Sequence, residues 1–291
     1  MVVFAVLPLT GDPVTRYLQA RHQYSPTDAE VAALRHELGL DRPLVGQYLG
    51  WAGNAVRGDF GLSYQTGRPV GPDLWAHLAP TLVLALSALT IALVVSLALG
   101  LACAAAAGRW PDAALRAACA VGVGVPDFVV GLVLLQAVVI GLGVGGVISD
   151  GALAHVGLPA VALAVLPAAT WTQLLRAGLL DALGSRFALV AAARGAGRTR
   201  ILLHHALPNA LPPYLTAVAV GIGFMLGGTA VVEAVFSWPG VGLWLVSAVR
   251  ARDVPQIQAF AVLATTTFVL LSLAADTLIA RLDPRTREGT G

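Results

Sequence analysis

Apolar residues in this chain gather into long unbroken runs, unlike the alternations or narrow stripes of a water-soluble fold. Five runs, at 81–107, 117–148, 157–175, 214–236 and 260–280, approach or exceed the ~20 residues a helix needs to cross a hydrocarbon core about 30 Å thick. The stretch 81–108 holds no charged residue at all. The pattern predicts an all-α, polytopic membrane protein with five clear spans. Residues 1–9 are apolar but far too short to cross, and without a charged leader or small-residue cleavage site they do not read as a signal peptide. They are expected to be the end of a first transmembrane helix that starts upstream, so a sixth, incomplete span is anticipated. Between this remnant and the first full run, residues 10–79 are polar and mixed. Within them Thr27 and Glu30 have capping-box spacing, and Val31, Leu34 and Leu38 follow at helical intervals, which predicts a short helix.

Charge sets the orientation, because short cytoplasmic loops collect arginine and lysine. Segment 108–116 carries Arg109 and Arg116; segment 176–213 carries Arg176, Arg186, Arg194, Arg198 and Arg200 against the single acid Asp181; the tail 282–291 and its approach carry Arg281, Arg285 and Arg287. Alternation of the spans puts all three on one side. The opposite side has no arginine in 149–155 and two, Arg250 and Arg252, in 237–259. Segment 10–79 is therefore expected outside, and both termini of the complete protein in the cytoplasm.

Composition removes other classes. The chain of 291 residues is 57% hydrophobic and 12% charged, with a mean hydropathy of +0.78, whereas soluble domains carry about 25% charge. A soluble enzyme is excluded. A net charge of +2 without a clustered basic face argues against nucleic-acid binding. All eighteen basic residues are arginine, so no phosphate-binding loop with its lysine exists here, and any ATP-driven activity needs a partner subunit. Cys103 and Cys119 match no metal or redox spacing and read as small packing residues. The six histidines, at 22, 36, 77, 155, 204 and 205, lie outside the runs, which leaves no buried base and nucleophile for a membrane enzyme. His204 and His205 are neighbours about 100° apart on a helix and cannot hold one metal ion from one face.

The segment 185–209 is the informative loop. It reads as an alanine-rich helix, a break at Gly195 and Gly197, and a second helix ending near Pro208. The small side chains of Ala188, Ala191 and Ala192 are expected to let another backbone approach, and the arginines around the turn offer charge to a partner. An amphipathic helix lying at the lipid headgroups is the competing reading of the same residues.

This loop resembles that of the permease subunits of binding-protein-dependent ABC importers, whose pattern is E-A-A, three residues, Gly, nine residues, then I-x-L-P. Leu189, Val190 and Ala191 stand at the first three positions, Gly195 at the glycine, and His205, Ala206, Leu207 and Pro208 at the last four. The glycine, second alanine and Leu-Pro match; the glutamate, first alanine and isoleucine do not. Further segments resemble the dipeptide, oligopeptide and nickel branch of that family. They are Gly11-Asp12-Pro13, Gly58-Asp59-Phe60-Gly61-Leu62-Ser63, Pro126-Asp127-Phe128, Val232 to Gly242 with its Phe236-Ser237-Trp238-Pro239-Gly240 turn, and Leu282-Asp283-Pro284-Arg285.

The resemblance implies a type I ABC importer transmembrane domain over 80–281. Its partners would be a second homologous permease subunit, two cytoplasmic ATPase subunits and an extracytoplasmic solute-binding protein, in the inner membrane. ATP and Mg would sit on those partners, with no cofactor or metal on this chain. Leu189, Val190, Ala191, Ala192, Arg194, Gly195, Leu207 and Pro208 would form the coupling loop to an ATPase. Short peptides are the expected solute, with nickel or its chelate as the alternative.

Charges inside a bilayer mark function by default. Asp127, about ten residues into its run, either lines the translocation path or caps the helix that restarts after Pro126. Trp171 and Gln173 are candidates for the same path, or for anchoring between helices. Glu233, with Trp238, Pro239 and Gly240, is expected to be structural or gating at the outer end of its span. Gly223 with Gly227, and Gly141 with Gly145, have the spacing of close helix crossings within the bundle. An ion-coupled secondary transporter is the rival class, but no internal repeat supports it.

Overall fold

The computed structural model describes residues 27–37, 41, 43–143 and 151–282. The remnant at 1–9, Gly11-Asp12-Pro13, Leu38, Gly145 and the tail from Asp283 onwards lie outside the described residues.

The described residues are almost all helical. In chain order the helices are α1 (Asp28–Glu37), α2 (Leu44–Ala55), α3 (Val70–Ala105), α4 (Trp110–Gly124), α5 (Asp127–Leu134), α6 (Gly157–Leu183), α7 (Arg186–Ala193), α8 (Arg198–Ile201), α9 (Leu207–Val235), α10 (Val241–Ala251) and α11 (Val254–Leu282). Wider π-helical turns follow α5 (Leu135–Gly141) and join α8 to α9 (Leu202–Ala206), and a short 3-10 turn (Leu153–His155) precedes α6. Extended pairing among the described residues is confined to the isolated bridge between Leu62 and Pro69. The short helix expected after Thr27 is α1, whose first turn closes from the Val31 amide onto the Thr27 carbonyl at 3.1 Å.

Among the described residues four helical stretches are long and apolar enough to cross a membrane: Val70–Ala105, Gly157–Leu183, Arg198–Val235 and Val254–Ala275. The run expected as one span at 117–148 is instead broken. Its helices bend by 104° at Val125-Pro126, so the described residues hold four spans, or five when the bent pair is taken as one. Proline explains the break: it has no amide to donate, and it pushes Val125 into an extended conformation (φ −100°, ψ 121°). Hydropathy alone carries no mark of this bend.

The chain divides into two compact units. In the larger, Thr81–Pro239 with the described residues from Thr267, α6 is the central helix. Of its most apolar window 56% is buried, against 28%, 22% and 11% for the other three long stretches, whose apolar sides face outward. Small residues allow this packing. A Cβ on Gly100 of α3 would stand 2.8 Å from Leu175, one on Gly178 would stand 3.3 Å from Ala210, and one on Gly221 of α9 would stand 2.8 Å from the Trp171 ring. Gly223 and Gly227, by contrast, meet nothing within 4 Å. The crossing expected at that pair falls instead on the neighbouring glycines, because the face of α9 that turns inward is the one carrying Gly221 and Gly228. Ser96 of α3 and Tyr214 of α9, both buried, share a hydroxyl hydrogen bond of 2.7 Å.

The smaller unit, the described residues up to Pro80 with Gly240–Thr266, has its own core of Phe60, Val70, Leu74, Val241, Trp244 and Ala259. The Trp244 indole donates to Asp73 at 2.8 Å. Asp253 is fully buried and holds the loop before α3, accepting from the Gln65 amide at 3.1 Å and from the Ser63 hydroxyl. Burial, and secondarily the Asp253 charge, pushes the Tyr64 phenol up to about 12.

Candidate functional site

The loop singled out in the sequence folds as a compact arm. Ser185 is extended, α7 follows, and its end is closed by a Schellman motif in which the Gly195 amide bonds the Ala192 carbonyl at 2.9 Å and the Ala196 amide bonds the Ala191 carbonyl at 3.1 Å. Gly195 sits at φ +83°, which a side chain would strain, and a Cβ there would meet open space. The requirement at Gly195 is thus conformational and not one of room. Gly197 then opens α8, where the Ile201 amide bonds the Gly197 carbonyl at 3.0 Å. Leu207 and Pro208 begin α9, with the proline in the first turn where no amide is needed.

Two of the three alanines point the other way from the expectation, while Ala192 faces outward as expected. Ala188 and Ala191 are buried against Ile201, with Leu183 and Ala196 around them, and so close the arm on itself. The outward face carries Phe187, Leu189 and Val190, which are 40%, 66% and 52% exposed, with Ala192 and Arg194 also exposed. Small residues make the two helices of the arm fit; larger apolar ones are what a partner would meet. Arg186, Arg198 and Arg200 are exposed around it.

Asp127 opens α5 directly after the Pro126 break. Its Oδ1 is buried without a hydrogen-bond partner, and its Oδ2 lies 3.1 Å from where a Cβ of Gly228 would stand. The Val129 and Val130 amides bond the Pro126 carbonyl at 2.9 and 3.2 Å, and no side chain caps this helix start. The Asp127 carboxylate therefore does not cap the helix and keeps an unused acceptor. Trp171 is 2% exposed and enclosed by Gly221, so it packs α6 against α9 and does not line open space within the chain. Gln173, two positions on, is exposed on another face of α6.

Glu233 is wholly buried near the end of α9 and accepts a 2.7 Å bond from the Thr81 hydroxyl. Its carbonyl receives the Trp238 amide at 2.9 Å across a turn in which Ser237 takes φ +50°. Trp238 is fully buried, Pro239 is half-buried, and Gly240 precedes α10 in an extended conformation. Phe236 of the same turn packs where a Cβ on Gly131 of α5 would stand, 3.1 Å from its ring.

Sequence reading missed the pair of Asp112 and Arg176. Asp112 is 1% exposed in the first turn of α4, and the Arg176 guanidinium of α6 grips it with Nε to Oδ1 at 2.6 Å and a terminal nitrogen to Oδ2 at 2.7 Å. One signal was available. Asp112 is the only acid among the arginines of segment 108–116, a polarity that orientation by arginine count passes over. Among the described residues no group of three His, Cys, Asp or Glu side chains is placed to hold a metal ion.

The chain is 37% identical over 289 residues to the glutathione transport system permease protein GsiC of Escherichia coli (strain K12), a match covering 99% of this chain and 92% of that protein. The protein of the same name from Shigella flexneri serotype 5b (strain 8401) matches at the same identity and coverage. Among solved structures, the fold resembles a chain of an amino acid ABC transporter crystallised with histidines, with a TM-score of 0.56 at 19% identity, covering 74% of this chain and 94% of that one. It also resembles the MetNI methionine ABC transporter in an inward-facing form, with a TM-score of 0.55 at 20% identity, covering 73% and 95%. The profile of the binding-protein-dependent transport system inner membrane component family matches residues 96–288, and the chain belongs to that family as a permease subunit of an ABC importer.

Proposed function

We propose that this subunit carries short peptides, with glutathione among them, inward across the cytoplasmic membrane. The observation that carries the solute class is the 37% identity, along nearly the whole chain, to a permease named for glutathione transport. Uptake is driven by two ATPase subunits, with a second permease subunit and an external solute-binding protein completing the assembly. Residues 10–79 lie outside, 80–281 form the transmembrane domain, and the 176–213 segment and the 282–291 tail lie in the cytoplasm. The arm is the coupling element: Leu189, Val190, Ala192 and Arg194 seat on an ATPase, Ala191 and Gly195 hold the shape of the turn, and Leu207 and Pro208 fix its exit into α9. ATP-driven closure of the ATPase pair then rocks the bundle between inward-open and outward-open states. In the bundle, Asp127 offers its unused carboxylate oxygen to the ammonium group of the solute and Gln173 lines the same route. Glu233, Trp238, Pro239 and Gly240 hold the outer turn. Catalysis of ATP hydrolysis belongs to the partners.

Two experiments test this reading. Titration of the cognate binding protein with glutathione, dipeptides and Ni²⁺ is expected to give saturable binding of the first two; binding of Ni²⁺ alone would transfer the solute to the metal branch. Replacing Gly195 with Val is expected to leave the protein inserted while transport uncouples from ATP hydrolysis, and undiminished uptake would remove the coupling role of the arm.

A further inference from the structure

Asp112 and Arg176 are 64 residues apart in sequence, yet their side chains make a two-pronged bond with both carboxylate oxygens engaged. The Gly108 amide adds a third donor to Oδ2 at 3.3 Å, and Arg116 stands 3.7 Å from Oδ1. Three pieces of chain meet at this carboxylate: the turn that leaves α3 through Gly108 at φ +76°, the first turn of α4, and α6. Arg176 lies seven residues before the end of α6 at Leu183, about two helical turns, and only Gly184 and Ser185 separate that end from α7.

An ion pair with a buried carboxylate is poor evidence for stability, because apolar side chains of the same volume often do as well or better. What it supplies is direction. A guanidinium fork on a carboxylate fixes distance and angle together. The contact further along α4 differs in kind: Gly122 lies against Ala169 and Val165 of α6, with a Cβ on Gly122 standing 3.2 Å from the Ala169 Cβ. Small apolar surfaces of this sort resist separation and allow sliding. The fork holds the register of the two helices at the end nearest the arm.

We propose that the Asp112–Arg176 fork makes α4 follow α6, so that displacement of the arm reaches the Pro126 break at the far end of α4. Asp112 and Arg176 are positioning residues for transport; they contact neither solute nor nucleotide. The claim rests on the arm being the coupling element and adds the route by which its movement enters the broken span.

The test uses the complete importer, with its ATPase subunits and binding protein, reconstituted in liposomes and supplied with glutathione. Assembly, ATP hydrolysis and uptake are measured for R176K, D112N, the double variant D112N/R176Q, and G195V. R176K keeps the charge and loses the two-pronged grip; it is expected to assemble and hydrolyse ATP while uptake per ATP falls about two- to thirtyfold, the span seen for substitutions along a coupling route. D112N is expected to assemble less well, because it leaves a partly buried arginine without its counter-charge. The double variant removes that charge and is expected to recover assembly but not uptake per ATP. Unchanged uptake per ATP in R176K and in the double variant would overturn the proposal, since a merely structural pair changes the amount of complex and not its coupling. Should G195V alone uncouple, the arm reading survives and the fork fails. Should G195V also stay coupled, both fail.

Discussion

Substituting Gly221 with Ala adds one methyl group to α9 and tests how tightly α9 is seated on α6. The new Cβ would stand 2.8 Å from Cζ2, 3.0 Å from Nε1 and 3.1 Å from Cε2 of Trp171. Ordinary carbon contacts lie at about 3.5–4.0 Å, so three atoms of one rigid ring are overlapped by at least roughly 0.4 to 0.7 Å. The indole has nowhere to retreat, being 2% exposed within the central core of the larger unit. Overpacking of this kind costs about 1–3 kcal/mol. Alanine also returns up to about 1 kcal/mol of helix propensity, which partly conceals the cost. Gly223 is the internal control: it is two residues further along the same helix and has nothing within 4 Å of its own prospective Cβ. The propensity gain is common to both substitutions, so the difference between them isolates the steric term. Gly223→Ala is expected to match or exceed the wild type, and Gly221→Ala to fall about 1–3 kcal/mol below Gly223→Ala. Unfolding of the purified protein in a single detergent, followed by loss of helical circular dichroism, measures both. Equal stability of the two variants would refute the close seating of α9 on Trp171.

Ser237 occupies a left-handed conformation at φ +50°, so Ser237→Gly is expected to stabilise the protein by about 1 kcal/mol in the same unfolding assay. Asp253→Ala removes the acceptor of the Ser63 hydroxyl and the Gln65 amide, each such loss costing about 1–3 kcal/mol when the group stays buried. Limited proteolysis within 61–70 is expected to speed up more for Asp253→Ala than for Ser63→Ala, and equal rates would contradict the anchoring. The Tyr64 phenol, raised from 10.0 to about 12, favours its neutral form in the folded state. Its contribution is complete below pH 10 and is lost as pH rises from 10 towards 12, a change of up to about 2–3 kcal/mol at 1.36 kcal/mol per pKa unit. Tyr64→Phe is expected to flatten that alkaline decline in stability, and an unaltered decline would assign it to other groups.

Much of the helix content and the arm was legible because both rest on local chemistry. Long apolar runs admit few structures in lipid but helices, and Gly195 announces a left-handed residue wherever a helix must stop and turn. Direction was not legible. Alanine at 188 and 191 signals only that something approaches closely, and the approaching side chain proved to be Ile201 of the same arm. Gly221 and Gly223 are identical letters two places apart, and only the rotation of α9 decides that one meets Trp171 and the other meets nothing. The 104° break was hinted at by Pro126 but hidden by the uniform hydropathy on either side of it. Pairs such as Asp112 with Arg176 and Thr81 with Glu233 join residues 64 and 152 positions apart, a separation at which no local pattern carries information.

The bond between Thr81 and Glu233 has a consequence for how the chain is made. A glutamate entering hydrocarbon needs a hydrogen-bond donor when it arrives, since no water is there to serve it. Thr81 precedes Glu233 by 152 residues, so at ribosomal speeds of about 5–20 residues per second the threonine emerges roughly 8–30 s before the acid that needs it. The receptor is built first and waits, and the costly residue is delivered to helices that precede it in the chain, before the final long helix, α11, has been made.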